Sequence, residues 1–237
     1  MIIEIIGPAG SGKSTLSKAL SERLAYVRLE NPPSFRKVEY IPFYVRNSLS
    51  LFPILSRVYL RNRRLPPKEL FVFMVMLNGW HQELKQEALK SESIIILDQG
   101  PVYMLTILTM FDAGSLKSNN SEKYWDRAFR CWAETLDLVI WLDTSLPELV
   151  ERIRTRQIWH KVKDRSDVDA YRYLESYRQG FENVISRLKA CSNTLRILRL
   201  NTGRNSLEET MKNVIDELYL GDAQVKSQKQ NFSYGNP

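Results

Sequence analysis

A run of nine residues near the start of the chain, GPAGSGKST from Gly7 to Thr15, has the composition of a phosphate-binding loop. It fits the pattern GxxxxGK[ST], with an apolar segment before it and a helical pattern after it. Glycines allow a tight turn that points backbone N–H groups at phosphate oxygens, and the N-terminus of the following helix adds partial positive charge. We therefore expect ATP to bind through Gly7, Ala9, Gly10, Ser11, Gly12, Lys13, Ser14 and Thr15.

Two side chains of this loop and one distant carboxylate are suited to phosphoryl transfer. The Lys13 ammonium group is expected to reach the β- and γ-phosphates, and the Ser14 hydroxyl to help hold Mg²⁺. Asp98 follows the apolar run 94–97, and open α/β sheets bind ligands at such strand ends. Its carboxylate can hold the metal and can orient or accept the proton of the attacking group. We predict Lys13 and Asp98 as catalytic residues, and Ser14 and Asp98 as metal ligands.

An aspartate at the end of a strand can instead serve the structure. Asp98 stands just before Gly100-Pro101, where a helix is predicted to begin, so its side chain could be the cap of that helix. Asp143 also ends an apolar run, and Ser145 and Pro147 after it are helix-start signals. We favour the functional interpretation for Asp98 and the structural one for Asp143.

A basic segment, ERIRTRQIWHKVKDR from Glu151 to Arg165, is predicted to form a lid over about residues 152–166. Arg152 and Arg156 are four residues apart and share one helix face. Two guanidinium groups there can neutralise the charge of a triphosphate during transfer, so both are predicted catalytic residues. Arg165 is a candidate acceptor ligand, whereas four further basic residues are assigned to the surface: Arg154, His160, Lys161 and Lys163.

These groups need a scaffold, and the apolar runs supply one. Runs at 2–6, 26–29, 94–97, 138–142 and 195–200 read as strands, and continuous apolar runs indicate strands buried on both faces. Helical patterns lie between them, which predicts a three-layer α/β fold of the P-loop NTPase type with a parallel, five-stranded sheet. The predicted helices cover about 101–111, 121–136, 146–158, 167–190 and 206–220, together with 68–90, which is expected to be interrupted or bent near Gly79.

One domain is expected over residues 1–220. Residues 34–67 are rich in aromatic residues, Pro and Arg, and are predicted to form short helices; the helical region over about 34–80 is expected to bind the acceptor. The polar segment 221–237 is predicted to be a disordered tail.

Composition limits the class of protein. Hydrophobic residues make up 43% and charged residues 26% of 237 residues, which is enough for a core and excludes global disorder. Cys131 and Cys191 are far apart and form no CxxC pattern, so a zinc site is not expected. The start, Met1 to Ile6, lacks the basic residues of a signal peptide and carries Glu4, so we predict a cytoplasmic protein with no membrane partner. The formal charge of +7 is compatible with an anionic small molecule, and nucleic acid is not the expected partner.

Three segments together resemble the thymidylate kinase-like branch of the P-loop nucleotide kinases. They are GPAGSGKST, IIILDQGP in mid-chain and LDTSLPELVERIRTR further on; YLESYRQGF and the closing LRLNTGRNSLEETMKNVIDEL also fit. The resemblance covers roughly residues 1–220 and implies a kinase that acts on a small acceptor. It implies that Arg152 packs on the adenine, that Arg156 contacts phosphates and that the turn from Asn201 to Arg204 passes over the base. It also implies a possible homodimer.

This chain differs from the family at two positions where the family has arginines and this chain has neutral residues. Where the family has an Asp-Arg pair after the third strand, this chain has Asp98 and Gln99, and an arginine of the long preceding helix falls near Asn78. Losing two positive charges lowers the expected affinity for an acceptor phosphate. The acceptor is therefore left open between a nucleoside, another nucleotide and a hydroxyl-bearing metabolite.

Acceptor ligands are drawn from side chains near these positions. We name Glu30, Phe73, Asn78, Gln99 and Arg165 as candidates. Members that phosphorylate nucleosides use a glutamate in a place comparable to Glu30, so this residue competes with Asp98 for the role of base.

The function predicted from the sequence is transfer of the γ-phosphoryl group of ATP to a small acceptor, most simply a nucleotide or nucleoside. Two alternatives differ in class. A nucleotide-dependent switch would hydrolyse ATP slowly and change its affinity for a partner. A polynucleotide end kinase would need a long basic groove with interleaved aromatic residues.

Overall fold

A computed structural model describes residues 1–63, 65–91, 93–111 and 119–233. At its centre is a parallel sheet of five strands: β1 (Ile2–Ile6), β2 (Val27–Glu30), β3 (Ile94–Leu97), β4 (Leu138–Asp143) and β5 (Arg196–Asn201). The strand order is β2-β3-β1-β4-β5, so the predicted five-stranded parallel sheet is confirmed. The order reverses direction at β1, which makes the carboxyl end of β1 the place where ligands are expected to bind.

Helices cover both faces of the sheet. In chain order they are α1 (Lys13–Arg23), α2 (Ile41–Asn62), α3 (Lys68–Lys90), α4 (Pro101–Phe111), α5 (Asn119–Ala133), α6 (Leu146–Thr155), α7 (Asp167–Cys191) and α8 (Leu207–Ser233), with a short 3₁₀ turn at Val38–Tyr40 before α2. None of the helices in the described ranges is long and apolar enough to cross a membrane.

Alternate side chains of the strands enter separate cores, as expected for a buried parallel sheet. Ile95 and Leu97 of β3 face the core that α3, α4, α5 and α7 share. Ile94 and Ile96 face the smaller core formed with α1 and α8. A third apolar cluster, which includes Leu149 of α6, packs α6 against α7 and so attaches the predicted lid to the domain.

The prediction of short helices in residues 34–67 is wrong, because one 22-residue helix, α2, occupies most of this segment. Its buried positions Phe43, Asn47 and Leu51 recur every four residues, which is the spacing of one helix face. Pro53 misled the prediction, since proline inside a helix removes one backbone hydrogen bond. Its position on the exposed side lets water replace that bond.

Helix α3 has the predicted bounds and is not interrupted at Gly79, where an interruption or bend was expected. The glycine serves packing instead. A β-carbon at residue 79 would lie 2.2 Å from Nδ2 of Asn47, so α2 can approach α3 closely only because residue 79 has no side chain.

At the C-terminus, helix α8 continues to Ser233, while residues 234–237 lie outside the described residues. The disordered tail over 221–237 stays a prediction.

Candidate active site

The phosphate-binding loop joins β1 to α1 at the centre of the sheet. Gly7 has φ 148° and Gly12 has φ 93°, a region that residues with a side chain rarely adopt. At Gly7 a β-carbon would also lie 2.1 Å from the carbonyl oxygen of Leu142, so the loop passes directly over the end of β4. The Oγ atom of Ser11 is buried and has no hydrogen-bond partner among the described residues.

Lys13 begins α1 and turns back over the loop. Its Nζ atom donates hydrogen bonds to the carbonyl oxygens of Gly7 at 2.7 Å and Pro8 at 2.9 Å. The pKa of Lys13 is lowered to about 8, mainly by burial; Asp98 opposes the shift and Arg156 adds to it. The ammonium group therefore lies within electrostatic range of one carboxylate and one lid arginine that the sequence placed in the same site.

The N-terminus of α4 is capped by a residue that the sequence analysis did not consider. Glu4, in the middle of β1, accepts hydrogen bonds from the backbone N–H groups of Val102 at 2.7 Å and Tyr103 at 3.0 Å. Burial raises the pKa of Glu4 to about 8, although both of these amides act to lower it and Asp98 adds to the rise. Because Glu4 occupies the helix terminus, the structure does not use Asp98 as the cap that the structural interpretation required.

Asp98 lines a cavity of about 780 Å³ at the carboxyl end of the sheet. The turn after it carries Gln99 with φ 53°, a left-handed conformation that costs a non-glycine residue free energy. Such conformations cluster at ligand sites.

Helix α6, which leads into the predicted lid, has a well-formed start. Ser145 and Glu148 form a capping box on α6, as the sequence signals predicted. Arg152 donates to the hydroxyl of Thr202 at 3.0 Å and to its carbonyl oxygen at 2.9 Å, so the lid helix is joined to the turn after β5. This places Arg152 beside the turn that the resemblance assigned to the adenine.

Arg156 follows the last residue of α6 and caps the helix in an extended conformation. Its Nε atom is buried and has no hydrogen-bond partner among the described residues, and its side chain lines the cavity. Lys163 donates a hydrogen bond from Nζ to the Arg156 carbonyl oxygen, which holds the lid loop against the end of the helix.

Other charged residues of this region support the structure. Arg154 binds Asp167 at 2.7 Å and the carbonyl oxygen of Arg165 at 2.8 Å, so it ties both ends of the lid loop together. Arg178 of α7 donates to Oδ1 of Asp143 at 2.8 Å, and the same oxygen accepts the N–H of Thr144, so the Asp143 carboxylate has partners within the fold.

Most of the residues predicted to bind nucleotide line this one cavity. Those at its wall are Gly7, Ala9, Gly10, Ser11, Gly12, Lys13, Ser14, Thr15, Asp98, Gln99, Arg152 and Arg156. They come from β1, β3, α1 and α6, segments that are distant in the sequence.

Five of the predicted site residues do not line the cavity: Arg204, Arg165, Phe73, Asn78 and Glu30. Arg204 is exposed in the turn after β5, where Thr202 and Asn205 face the cavity instead. The Arg165 guanidinium lies over the ring of Tyr173, 5.2 Å from its centre. Phe73 packs edge-on against Tyr103, with the ring centres 6.2 Å apart.

Asn78, which was predicted as an acceptor ligand, is not among the residues that line the cavity. Its Nδ2 atom donates to Oδ1 of Asn47 at 3.1 Å and to Oγ of Ser50 at 2.6 Å. The amide is therefore used to join α3 to α2.

Glu30 ends β2, next to Asp98 across the sheet. Its carbonyl oxygen accepts the Asp98 N–H at 3.4 Å, and its carboxylate is 3.6 Å from Arg28. Burial and the nearby Glu87 raise the pKa of Glu30, while Arg28 and Lys37 oppose the rise. Its side chain is outside the cavity wall that Asp98 lines.

One wall of the cavity is aromatic and was not predicted from the sequence. Tyr173, Tyr177 and Phe181 of α7 line the cavity together with Tyr103 of α4. The hydroxyl of Tyr173 donates to that of Tyr177 at 3.1 Å. Their spacing of four residues in YLESYRQGF was a signal for one helix face, and the nearby P-loop could have indicated which way that face points.

Two residues of the lid loop, His160 and Lys161, also line the cavity. Lys161 is exposed, as its surface assignment predicted, whereas His160 was assigned to the surface and is half-buried. A charged run predicts a solvated face only while the helix continues, and α6 ends at Thr155. The loop after it turns the His160 side chain inward.

Comparison with known proteins is consistent with this geometry. A family model described as deoxynucleoside kinase matches residues 3–219, which is most of the chain. The chain belongs to the deoxynucleoside kinase family. It is therefore a P-loop phosphotransferase, and neither the switch nor the polynucleotide kinase alternative is favoured.

Solved structures share the fold of this kinase at low sequence identity. A deoxyadenosine kinase from M. mycoides with bound dATP is 18% identical, with a TM-score of 0.51; the match covers 92% of this chain and all of that one. A thymidylate kinase from Candida albicans is 15% identical, with a TM-score of 0.54, and covers 93% and 92% of the two chains. A search of curated proteins gives no match.

The narrower resemblance to thymidylate kinases is therefore only approximate. The family that matches is that of the deoxynucleoside kinases, with a thymidylate kinase among the structural neighbours. The loss of acceptor-side cations at Gln99 and Asn78 had made a thymidine monophosphate acceptor doubtful, and the family assignment agrees with an acceptor that has no phosphate.

Proposed function

We propose that this protein transfers the γ-phosphoryl group of ATP to a hydroxyl group of a deoxynucleoside, with Mg²⁺ bound to the nucleotide. One observation carries the proposal. Lys13, Asp98, Arg152 and Arg156 come from separate segments and line a single cavity at the end of β1. Three cations and one carboxylate around a glycine-rich loop match the charge of a metal-bound triphosphate.

The donor groups fit Mg²⁺. This ion is usually held by one or two side-chain oxygens together with substrate phosphates and water. Ser14 supplies a hydroxyl and Asp98 a carboxylate at the same cavity wall. The described residues hold no cluster of three or more His, Cys, Asp or Glu that would bind a metal without the nucleotide. When bound, Mg²⁺ would neutralise charge on the β- and γ-phosphates.

We assign the base to Glu30 and the metal to Asp98. The strand order places β3 between β2 and β1, so Glu30, Asp98 and the P-loop follow one another along the sheet edge. Strands are about 4.8 Å apart, which leaves room for an acceptor hydroxyl between Glu30 and the phosphates. A carboxylate with a raised pKa is the better proton acceptor, and the pKa of Glu30 is raised.

In the proposed reaction the acceptor hydroxyl loses its proton to the Glu30 carboxylate as its oxygen bonds to the γ-phosphorus. The bond from that phosphorus to the β-phosphate oxygen breaks, and ADP leaves with the electron pair. Lys13 and Arg156 would stabilise the negative charge on the transferred group, and Arg152 would hold the adenosine end against Thr202. The aromatic wall of Tyr103, Tyr173 and Tyr177 offers surfaces for a nucleobase.

The test is ADP formation by the purified protein with ATP, Mg²⁺ and each common deoxynucleoside in turn. We expect turnover to depend on one or a few of these acceptors and to fall about a hundredfold or more in Lys13→Ala. Full acceptor-dependent turnover in Lys13→Ala would show that the active site is assigned wrongly.

Two isosteric variants distinguish the residue that acts as the base from the residue that binds the metal. Glu30→Gln should lower kcat at every Mg²⁺ concentration, because the proton acceptor is gone. Asp98→Asn should raise the Mg²⁺ concentration needed for half-maximal activity. The reverse pattern would exchange the two roles.

We also propose that the protein forms a homodimer, and an exposed apolar stripe supports this. Large exposed apolar side chains follow one face of α2: Ile41, Val45, Leu49, Phe52, Tyr59 and Leu60. Leu49 and Phe52 are 69% and 68% exposed, and contiguous apolar surface of this kind marks an association site. Light scattering should show a dimer that Leu49→Glu converts to a monomer; a monomeric parent protein would contradict the proposal.

A further inference from the structure

His160 lies in the lid loop and lines the same cavity as Lys13 and Arg156. It is half-buried there, and its ring packs edge-on against Tyr173 with the ring centres 6.1 Å apart. The wall of a site that holds phosphates is an unusual place for a neutral ring unless the ring offers a hydrogen bond. The chain contains only two histidines, and the other, His81, is buried on α3.

The tautomer of His160 is fixed by the backbone. Its Nδ1 atom accepts a hydrogen bond from the Val162 N–H at 3.2 Å. An accepting nitrogen carries no proton, so the proton of the neutral ring is on Nε2. Nε2–H is thus the hydrogen-bond donor that the ring can present to a ligand.

The surroundings keep this ring neutral. Burial lowers the pKa of His160 most, and Arg156, Lys13, Lys161 and Arg165 lower it further. The tyrosine it packs against, Tyr173, is hydrogen-bonded to a second tyrosine and adds no charge. Protonation would place a hydrogen on Nδ1 and break the bond from Val162, so backbone geometry and the surrounding cations favour the same uncharged form.

We propose that His160 is a neutral hydrogen-bond donor of the lid, whose Nε2–H binds a phosphate oxygen of the nucleoside triphosphate. This rests on the proposed function, since it requires a triphosphate in the cavity. Lys13 and Arg156 supply charge from the loop and from the end of α6. His160 adds a directed donor from the lid loop, which places the transferred group without a further charge that would hold ADP after the reaction.

Nitrogen NMR of histidine-labelled protein provides the direct test, because two imidazoles give only two sets of signals. The His160 signals are identified by their loss in His160→Gln. Adding a non-hydrolysable ATP analogue with Mg²⁺ at about neutral pH should shift the Nε2 signal of His160, while Nδ1 stays unprotonated. His81 is the internal control and should not move.

Kinetics distinguish a donor from a packing residue. His160→Phe keeps a ring but has no donor, and we expect kcat to fall about tenfold. His160→Gln keeps an N–H donor and should stay within about threefold of the parent. Equal losses in both variants with unchanged melting temperatures would overturn the proposal, as would a bound state in which His160 is an imidazolium or its signals do not respond.

Failure of the inference and failure of the proposed function are distinguishable. If the analogue does not bind, as measured by calorimetry on the same samples, the nucleotide site itself is wrong. If it binds to the parent protein while the His160 signals remain unchanged, only the role of His160 is wrong.

Discussion

The guanidinium group of Arg152 and residue Thr202 are joined by two hydrogen bonds, of 3.0 Å to the hydroxyl and 2.9 Å to the carbonyl oxygen. They connect the lid helix α6 to the turn after β5, 50 residues away in the sequence. Arg152 is thus already oriented by contacts with the rest of the domain. Less side-chain conformational entropy is then lost when the nucleotide binds.

This relationship predicts the effect of removing either partner. Arg152→Ala loses both bonds and the cation, and we expect the KM for ATP to rise about tenfold or more. Thr202→Val keeps the carbonyl acceptor and should raise the KM less. Arg172→Ala, an exposed arginine of α7, is the matched control and should leave the KM unchanged. Steady-state kinetics at saturating acceptor give all three values, and a larger effect of Thr202→Val would contradict the prediction.

The raised pKa of Glu4 should make the stability of the protein depend on pH. Its pKa is raised from 4.5 to about 8, so the folded protein keeps a proton that the unfolded chain releases above pH 4.5. The free energy of unfolding should therefore fall as pH rises from about 4.5 to about 8. Glu4→Gln cannot titrate and should lack this contribution. Urea unfolding at a series of pH values measures both proteins.

The comparison uses the difference between the two proteins, because other groups titrate as well. The stability of the parent relative to Glu4→Gln should decline with pH across that window. Glu182→Gln, which changes an exposed carboxylate on α7, should follow the parent. Parallel curves for the parent and Glu4→Gln would show that Glu4 is ionised throughout.

Substitution of Gln99 should change the preference between phosphorylated and unphosphorylated acceptors. The residue lines the cavity next to Asp98, where the resemblance to thymidylate kinases implies an arginine. Gln99→Arg should lower the KM for a deoxynucleoside monophosphate relative to the deoxynucleoside, by about tenfold in the ratio of kcat/KM values. Gln99→Glu keeps nearly the shape of glutamine but adds a negative charge, which is opposite to that of arginine. It should therefore shift the ratio of kcat/KM values towards the deoxynucleoside. No change in either variant would mean that residue 99 does not contact the acceptor.

Gly79 predicts a packing defect. A β-carbon there would lie 2.2 Å from Nδ2 of Asn47, so Gly79→Ala should push α2 from α3 and lower the free energy of unfolding by about 1–3 kcal/mol. In an exposed helix the same change would stabilise, because alanine is the better helix former. A double variant with Asn47→Ala removes the collision and should show a smaller additional loss from Gly79→Ala. Denaturant unfolding checks both.

Much of this architecture could be read from the sequence. The apolar runs predicted the five strands to within one residue, and the pattern was clearest for β1, β3 and β4, which are buried on both faces. The phosphate-binding loop was equally clear, since its glycines, Lys13 and Ser14 are required at fixed spacing. The bounds of α3 and α4 were also predicted.

The remaining features depend on contacts that spacing alone does not reveal. Helix α2 was missed because its apolar residues cover both the buried and the exposed side, which hides the helical period. The capping role of Glu4 requires knowing that β1 lies beside β3 and the start of α4. His160 was taken for a surface residue because the end of α6, which turns the loop inward, is not marked by glycine or proline.

Glu4 pairs with Leu97, and Leu97 with Glu30, so Glu30 lies one residue before the level of Asp98, and the P-loop begins two residues beyond that level on β1. The spacing of the P-loop, Asp98 and Glu30 is therefore carried by the backbone ladder of the sheet. Residues 31–93, which include the two long helices α2 and α3, connect the end of β2 to the start of β3, and both of these points are fixed by the sheet. If the helical region binds the acceptor as predicted, substitutions, insertions or a changed helix between those points would alter the acceptor that is admitted while the phosphate chemistry stays the same, and the fold could diversify in substrate without rebuilding its phosphate site.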